Sequence, residues 1–104
     1  MVKRYDVYLV YLDPTCGSEI KKKRPCVVIS PNEMHGLNTA IVAPMTTKSK
    51  VYPTRIPIKF DKKQGFIVLD QIRTVDKTRF VQFLGTIDIT SGNEALRILR
   101  TMFE

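Results

Sequence analysis

Several polar side chains of this 104-residue chain stand at the ends of apolar runs, where their chemistry suits the binding of a phosphate group. Arg24 directly precedes Pro25 and a buried strand, which fixes its backbone, and a fixed guanidinium can bind phosphate through two parallel hydrogen bonds. Thr46 and Thr47 follow another apolar run, and hydroxyl groups there can hold a phosphate oxygen. Glu19, in a polar loop, is a candidate general base. Each of these residues also has a structural interpretation, as a strand or turn cap or as a solvated acid.

The charge of the chain favours a polyanionic partner, because 17 Lys and Arg residues against 10 Asp and Glu give a formal net charge of +7. The densest basic cluster is the run from Lys21 to Arg24. Further basic residues are Lys48, Lys50, Arg55, Arg73, Lys77 and Arg79. The same composition also suits a solvated surface that binds nothing. Tyr5 and Tyr52 are candidates for stacking on a nucleobase.

The small number of histidines and cysteines excludes several kinds of enzyme. One histidine, His35, and two cysteines ten residues apart are poor material for a zinc site, and a two-histidine ribonuclease mechanism is impossible. We therefore expect no metal and no cofactor, a structural or surface role for His35, and free thiols at Cys16 and Cys26. No apolar run approaches the roughly 20 residues that cross a bilayer, so we expect no membrane partner and a cytoplasmic location.

The elements that must position these residues are mostly strands. Runs rich in β-branched and aromatic residues predict strands over 7–12, 26–29, 39–43, 55–60, 66–69 and 80–84. Pro44 is expected to end the third of these strands, and residues 61–65 form the turn of a hairpin. The polar segment 15–23 is a long connection, and such loops are often functional.

Helix signals are fewer, and the last one is the clearest. Ser30 is predicted to cap a short helix that ends at Gly36, and Asp76 to cap one helical turn. A capping box that begins at Ser91 introduces an amphipathic helix extending to Phe103. The sequence thus predicts one domain over residues 1–104, mostly β, as a small curved antiparallel sheet or barrel closed by a C-terminal helix.

Spaced motifs run in order along nearly the whole chain, from about residue 5 to residue 103. They are Asp13-Pro14-Thr15, Gly17-Ser18-Glu19, Lys23-Arg24-Pro25, Val27-Val28-Ile29-Ser30-Pro31, residues 40–44 with Thr46, Tyr52-Pro53-Thr54 and Asp70-Gln71-Ile72-Arg73-Thr74-Val75-Asp76. Together these motifs resemble the MazF/PemK family of toxin endoribonucleases.

This resemblance implies an SH3-like barrel, a homodimer, metal-independent cleavage of single-stranded RNA, and inhibition by an antitoxin, for which the positive charge suggests an acidic protein. Arg24 and Thr46 match the family's catalytic arginine and threonine, and Glu19 matches a glutamate that some members emphasise. The residues expected to bind substrate are Ser18, Lys21, Lys23, Thr47, Lys48, Tyr52, Asp70, Gln71 and Arg73. The reaction expected is attack of a 2′-OH on the adjacent phosphorus, leaving a 2′,3′-cyclic phosphate and a 5′-OH.

Two departures from the family pattern narrow the mechanism. Some relatives have a histidine where this chain has Ser18 and an arginine where it has Val68, so an acid–base scheme through those groups does not apply. The scheme through Arg24 and Thr46 is intact. Two alternatives stay open: a toxin of the same fold that poisons DNA gyrase, and an RNA-binding module without turnover.

Overall fold

The computed structural model describes residues 1–104 as a seven-stranded antiparallel sheet followed by one α-helix. The strands are β1 (Asp6–Tyr11), β2 (Lys23–Val28), β3 (Thr39–Thr46), β4 (Arg55–Phe60), β5 (Lys63–Val68), β6 (Arg73–Asp76) and β7 (Phe80–Thr86), and the helix is α1 (Ile89–Met102). Three single 3₁₀ turns lie at Asn32–Met34, Leu69–Gln71 and Lys77–Arg79. This architecture confirms the predicted mostly-β fold with short helices and a C-terminal helix.

Strand β3 lies at the centre of the sheet, whose strand order is β4-β5-β3-β2-β1-β7. On one side β3 pairs with β2. On its other side it pairs first with β6, up to Val42↔Arg73, and then with β5, from Met45↔Ile67. The ends of β1 and β3, the beginnings of β2 and β6 and the 3₁₀ turn at Leu69–Gln71 therefore lie near one another.

Each face of the sheet carries its own apolar cluster, because successive side chains of a strand point to opposite faces. The first cluster includes α1 through Ala95 and has as its other members Val7, Val27, Ile29, Ala43, Met45, Ile56, Ile58, Ile67, Leu69 and Ile87. The second consists of Val10, Leu12, Cys26, Val28, Val42 and Val75. None of the helices is long and apolar enough to cross a membrane.

The sheet curls into a half-barrel, so that its two end strands, β4 and β7, approach each other. Gly85 in β7 has φ +140°, and a Cβ there would lie 3.2 Å from the ring of Phe60 in β4. A glycine is required at this position both by the backbone conformation and by the close approach.

Two predicted strand boundaries are wrong, and one strand was not predicted, each for a physical reason. Strand β3 continues through Pro44, which falls after the last pair with β6 and before the first pair with β5, where a missing N–H is tolerated. Strand β5 begins at Lys63, because Asp61 and Lys62 alone make the turn, both with positive φ. Strand β6 was not expected, since its four residues include only one buried apolar side chain, Val75.

Both predicted serine caps are also wrong. The N-cap of helix α1 is Asp88, three residues before the predicted cap Ser91, and its side chain accepts from the backbone N–H of Ser91. Ser30 caps no helix: its Oγ accepts from the N–H of Ile41 and lies 2.8 Å from Nε2 of His35. This contact gives His35 the structural role predicted for it. The Asp76 cap is confirmed, because its side chain accepts from the N–H of Thr78.

Candidate active site

Arg24 and Thr46 lie at the same end of neighbouring strands. The last β2–β3 pair is Cys26↔Pro44, and continuing this register by two residues sets Arg24 opposite Thr46. Continued in this way, the register places two of the three residues predicted to be catalytic at one strand end.

The Arg24 guanidinium is exposed and largely uncommitted. Its only hydrogen bond runs from Nη1 to the carbonyl oxygen of the adjacent Lys23, at 3.2 Å. It belongs to neither of the two ion pairs of the molecule, which join Arg55 to Asp70 and Arg97 to Glu94. Since a guanidinium carries five N–H donors, most of them remain free for a ligand.

The Thr46 hydroxyl is held in a tight turn. Its Oγ1 donates to the carbonyl oxygen of Lys48 at 3.1 Å and accepts from the Lys48 N–H at 3.2 Å. Thr46 and Thr47 border a cleft of about 220 Å³. Its apolar walls are Pro25, Met45, Ile58, Phe60, Phe66 and Leu84. The predicted catalytic threonine therefore stands at the rim of a small apolar cleft.

Glu19 lies in the loop of residues 12–22, which connects β1 to β2. One carboxylate oxygen accepts from the N–H of Cys16 at 2.7 Å, and its other oxygen takes no hydrogen bond from the protein. Glu19 and Ile20 line a depression with Pro44 and the 3₁₀ turn at Leu69–Gln71. The Ser18 hydroxyl in the same loop is exposed and makes no hydrogen bond.

Asp70 and Tyr52, both predicted to bind substrate, contact Arg55. Arg55 donates to both carboxylate oxygens of Asp70, from Nε at 3.1 Å and from Nη2 at 3.0 Å, and Thr54 donates to the first of them. The hydrogen bonds from Arg55 are the main reason that the pKa of Asp70 lies below its usual value. The guanidinium also lies over the Tyr52 ring, 5.0 Å from its centroid, and Tyr52 remains half exposed.

Gln71 and Arg73, two further predicted substrate-binding residues, hold backbone carbonyl or N–H groups of the 12–22 loop. The amide oxygen of Gln71 accepts from the N–H of Ile20 at 2.9 Å, and Arg73 donates to the carbonyl oxygen of Leu12 at 3.1 Å. Arg55, Thr54 and Ser49 were not predicted as part of the site, since nothing in their local sequence marks contacts with residues this distant.

The predicted basic surface is present at the same strand end. Lys21, Lys23 and Lys48 are exposed, as is Lys22, and no carboxylate lies within ion-pair distance of any of them.

Tyr5 is not available for stacking, contrary to expectation, because its hydroxyl donates to Asn93 and its ring packs against Gly92.

The two cysteines and the residue types that bind metals provide little for a second kind of site. Both cysteines are free as predicted, Cys16 exposed and Cys26 buried, and burial raises the pKa of the Cys26 thiol to about 12. No group of three or more His, Cys, Asp and Glu side chains lies close enough together to hold a metal ion.

The chain is similar to a known protein family over nearly its whole length. Residues 3–103 match the model of the PemK-like, MazF-like toxin family of type II toxin-antitoxin systems. The chain belongs to this family. As a PemK/MazF-like toxin it is 39% identical to the endoribonuclease EndoA of Bacillus subtilis, over 94% of this chain and 93% of that protein. It is 40% identical to the endoribonuclease MazF of Staphylococcus saprophyticus, over 93% and 97%. These relatives confirm the predicted family and enzyme class.

Solved structures of similar fold include further toxins of this group. The crystal structure of MazF from Deinococcus radiodurans matches 98% of this PemK/MazF-like chain and 96% of its own, with a TM-score of 0.86 and 20% identity. A mycobacterial endoribonuclease in complex with its cognate antitoxin matches 99% and 95%, with a TM-score of 0.83 and 20% identity. At such identities the likeness shows the fold.

Proposed function

We propose that this PemK/MazF-like chain is a cytoplasmic toxin that cleaves single-stranded RNA without a metal and is silenced by an acidic antitoxin. The observation that carries the proposal is the β2–β3 register, which ends at Cys26↔Pro44 and, continued by two residues, sets Arg24 opposite Thr46, on a surface whose cations have no carboxylate partners. Such a surface attracts a phosphate backbone, and a free guanidinium beside a hydroxyl suits one phosphate within it.

RNA supplies its own nucleophile in the reaction we propose. Glu19 takes the 2′-OH proton through its unbonded carboxylate oxygen, and the 2′-oxygen attacks the adjacent phosphorus. The bond from phosphorus to the 5′-oxygen breaks, and that oxygen takes a proton from solvent as it leaves. The products are a 2′,3′-cyclic phosphate and a 5′-OH end, and the step consumes no cofactor.

Arg24 and Thr46 act on the charge that develops during this step. Arg24 donates hydrogen bonds to the phosphorane oxygens and assists departure of the 5′-oxygen. The Thr46 hydroxyl exchanges its bond to the Lys48 carbonyl oxygen for one donated to a non-bridging oxygen. Removing one such preorganised donor typically slows a reaction by about 100- to 1,000-fold. Since both residues lie at strand ends rather than in a flexible tail, their spacing is set by the sheet.

Residues around this pair bind the strand. Lys21, Lys23 and Lys48 neutralise phosphates, and Ser18, Thr47 and the exposed face of Tyr52 contact neighbouring nucleotides. Arg73 stabilises the 12–22 loop from its base through Leu12. Each phosphate contact to a single strand contributes a slope of about −0.7 to the dependence of log affinity on log salt.

The antitoxin we propose is an acidic segment that covers the same surface. Family membership supports such a partner, and a mycobacterial relative of the same fold is found with its cognate antitoxin. The four consecutive exposed cations of residues 21–24 would attract carboxylates as well as phosphates. The antitoxin and RNA would therefore compete for one set of charges.

We further infer a homodimer formed through the edge of β7. This strand pairs with β1 alone and leaves its other edge free. Val81 and Phe83, two residues apart on β7, are 53% and 55% exposed, so two large apolar side chains of this strand face solvent. A second copy of the chain would bury these side chains and pair the free edge.

The experiment that tests the proposed activity is incubation of the purified protein with a long single-stranded RNA in EDTA. We expect discrete cuts whose upstream fragments end in a 2′,3′-cyclic phosphate. RNA that is bound but left intact would indicate a binding module instead. RNA neither bound nor cut, with inhibition of DNA gyrase, would indicate a gyrase poison.

A further inference from the structure

Two loops flank the Arg24–Thr46 pair, and one short turn contacts both of them. The 12–22 loop carries Glu19, and the loop of residues 47–54 joins β3 to β4 and carries Tyr52. Between them lies the 3₁₀ turn Leu69–Gln71, which we call the 69–71 turn. Its first residue, Leu69, is fully buried in the first apolar cluster, so the turn is fixed to the core.

Asp70 binds the 47–54 loop and its continuation into β4. Its two carboxylate oxygens take three hydrogen bonds, two from Arg55 and one from the Thr54 hydroxyl, all between 3.0 and 3.1 Å. Arg55 extends the connection by donating from Nη1 to Ser49 Oγ at 2.9 Å. The backbone adds a further bond, from the N–H of Leu69 to the carbonyl oxygen of Thr54 at 2.9 Å. Residues 49–55 are thereby tied to the turn at both ends.

Gln71, the next residue, binds the opposite loop. Its amide oxygen accepts from the N–H of Ile20 at 2.9 Å, and its amide nitrogen donates to the carbonyl oxygen of Ser18 at 3.4 Å. These two bonds bracket Glu19. They span more than 50 residues of sequence, so they tie the middle of the 12–22 loop to a distant part of the chain.

Two adjacent side chains of a core-anchored turn therefore hold two separate loops beside the same strand end. We propose that Asp70 and Gln71 are positioning residues: Asp70 fixes the 47–54 loop and Gln71 the 12–22 loop, and the pair sets the spacing of the RNA-contacting side chains and hence which RNA sequences are cleaved. The inference rests on the proposed RNA cleavage and replaces direct substrate contact for these two residues. A carboxylate already bonded to Arg55 and Thr54 has little capacity left for a base or phosphate.

The test uses the full-length protein with Asp70→Asn, Gln71→Leu and the conservative Gln71→Glu, which keeps an acceptor for the Ile20 N–H. Glu94→Gln is the matched control. It weakens the other ion pair of the molecule, which joins Glu94 to Arg97 on α1. Amide hydrogen exchange of peptides from the two loops is measured without RNA. Cleavage of a defined RNA then gives kcat, KM, the pH profile and the map of cleavage sites.

We expect each substitution to loosen its own loop. Asp70→Asn should speed exchange in residues 47–54 alone, Gln71→Leu should speed it in residues 12–22 alone, and Gln71→Glu should keep Ile20 protected. Asp70→Asn should raise KM by about tenfold, a factor that corresponds to 1.4 kcal/mol. The same variant should cut RNA at additional sites. The acidic limb of its pH profile should be the same as that of the wild type. Glu94→Gln should match the wild type throughout.

Two results would overturn the inference. One is unchanged exchange in both loops for folded Asp70→Asn and Gln71→Leu. The other is a fall in kcat of about 100-fold or more for Asp70→Asn with loss of the acidic limb, which would make Asp70 a base that touches RNA. If Asp70→Asn does not fold, Arg55→Lys tests the same pair. Since the exchange measurement needs no RNA, it decides the positioning role even if the wild type cleaves none.

Discussion

Gly65 of β5 lies so close to the backbone of Thr46 that a Cβ on residue 65 would be 2.6 Å from the Thr46 carbonyl oxygen. The contact is with backbone and not with the end of a flexible side chain, so it cannot be relieved by a rotamer change. The position of the proposed catalytic threonine is thus set by the absence of a side chain on the neighbouring strand.

Gly65→Ala should consequently displace the end of β3. We expect a loss of about 1–3 kcal/mol in the free energy of unfolding, as for other overpacked sites. RNA cleavage should fall by more than this loss of folded protein explains. Gly36→Ala is the matched control, because nothing lies within 4 Å of a Cβ there. Thermal melting and cleavage rates of both variants check the prediction, and equal behaviour of the two would contradict it.

The N-cap of α1 can be tested by two substitutions of neighbouring polar residues. Asp88→Ala should destabilise the protein by about 1 kcal/mol, since it removes the acceptor for the Ser91 N–H. For a domain of this size that is a fall in melting temperature of about 4–8 °C. Ser91→Ala should change the melting temperature little, because Ser91 lies inside the helix. The reverse order of the two effects would favour the capping box expected from the sequence.

Much of the fold could be predicted because its signals are local. Apolar runs marked six of the seven strands, and periodicity marked α1, but the start of α1 was misplaced since Ser91 and Asp88 are both good caps. Pro44 was taken as a strand end, and only the switch of partners on one side of β3 explains why the strand continues.

The candidate site also has a part that the sequence indicates and a part that it does not. Arg24 and Thr46 became candidates for phosphate binding from their places at the ends of apolar runs, and the register of β2 with β3, continued by two residues, then relates them. The Arg55–Asp70 pair and the Gln71 contacts join residues 15 to 53 positions apart. Contacts of that kind depend on how the sheet curls, so neither spacing nor charge in the sequence indicates them.

The Arg55–Asp70 pair should also contribute a specific acid sensitivity. The pKa of Asp70 is below its usual value in the folded protein, mainly because of the Arg55 hydrogen bonds. A carboxylate with a depressed folded pKa stabilises the fold above its unfolded pKa, and the contribution is lost as pH falls through the folded value. Wild-type stability should therefore drop relative to that of Asp70→Asn below about pH 4. The measurement is the free energy of unfolding of the wild type and of Asp70→Asn as a function of pH. A difference between the two that stays constant in acid would contradict this prediction.

The exposed lysines should govern affinity without governing chemistry. Replacing Lys21 or Lys23 with alanine should weaken RNA binding and reduce the log–log salt slope by about 0.7 per residue. The cleavage rate at saturating RNA should stay near that of the wild type, because neither residue is placed at the reacting phosphate. Salt titrations of binding to an uncleavable RNA with 2′-deoxy sugars measure the slope. A slope equal to that of the wild type in both variants would exclude these lysines from the interface.

In the reaction we propose, Arg24 stabilises the transition state of a metal-free cleavage. The most direct measurement compares wild type, Arg24→Ala and Arg100→Ala on a long single-stranded RNA in EDTA, with Arg100 as an exposed arginine on α1 away from the site. We predict discrete cuts ending in cyclic phosphate for the wild type and for Arg100→Ala, and a rate about 100- to 1,000-fold lower for Arg24→Ala with unchanged melting temperature. Cleavage by Arg24→Ala at the wild-type rate, or no cleavage by the wild type, would contradict the claim.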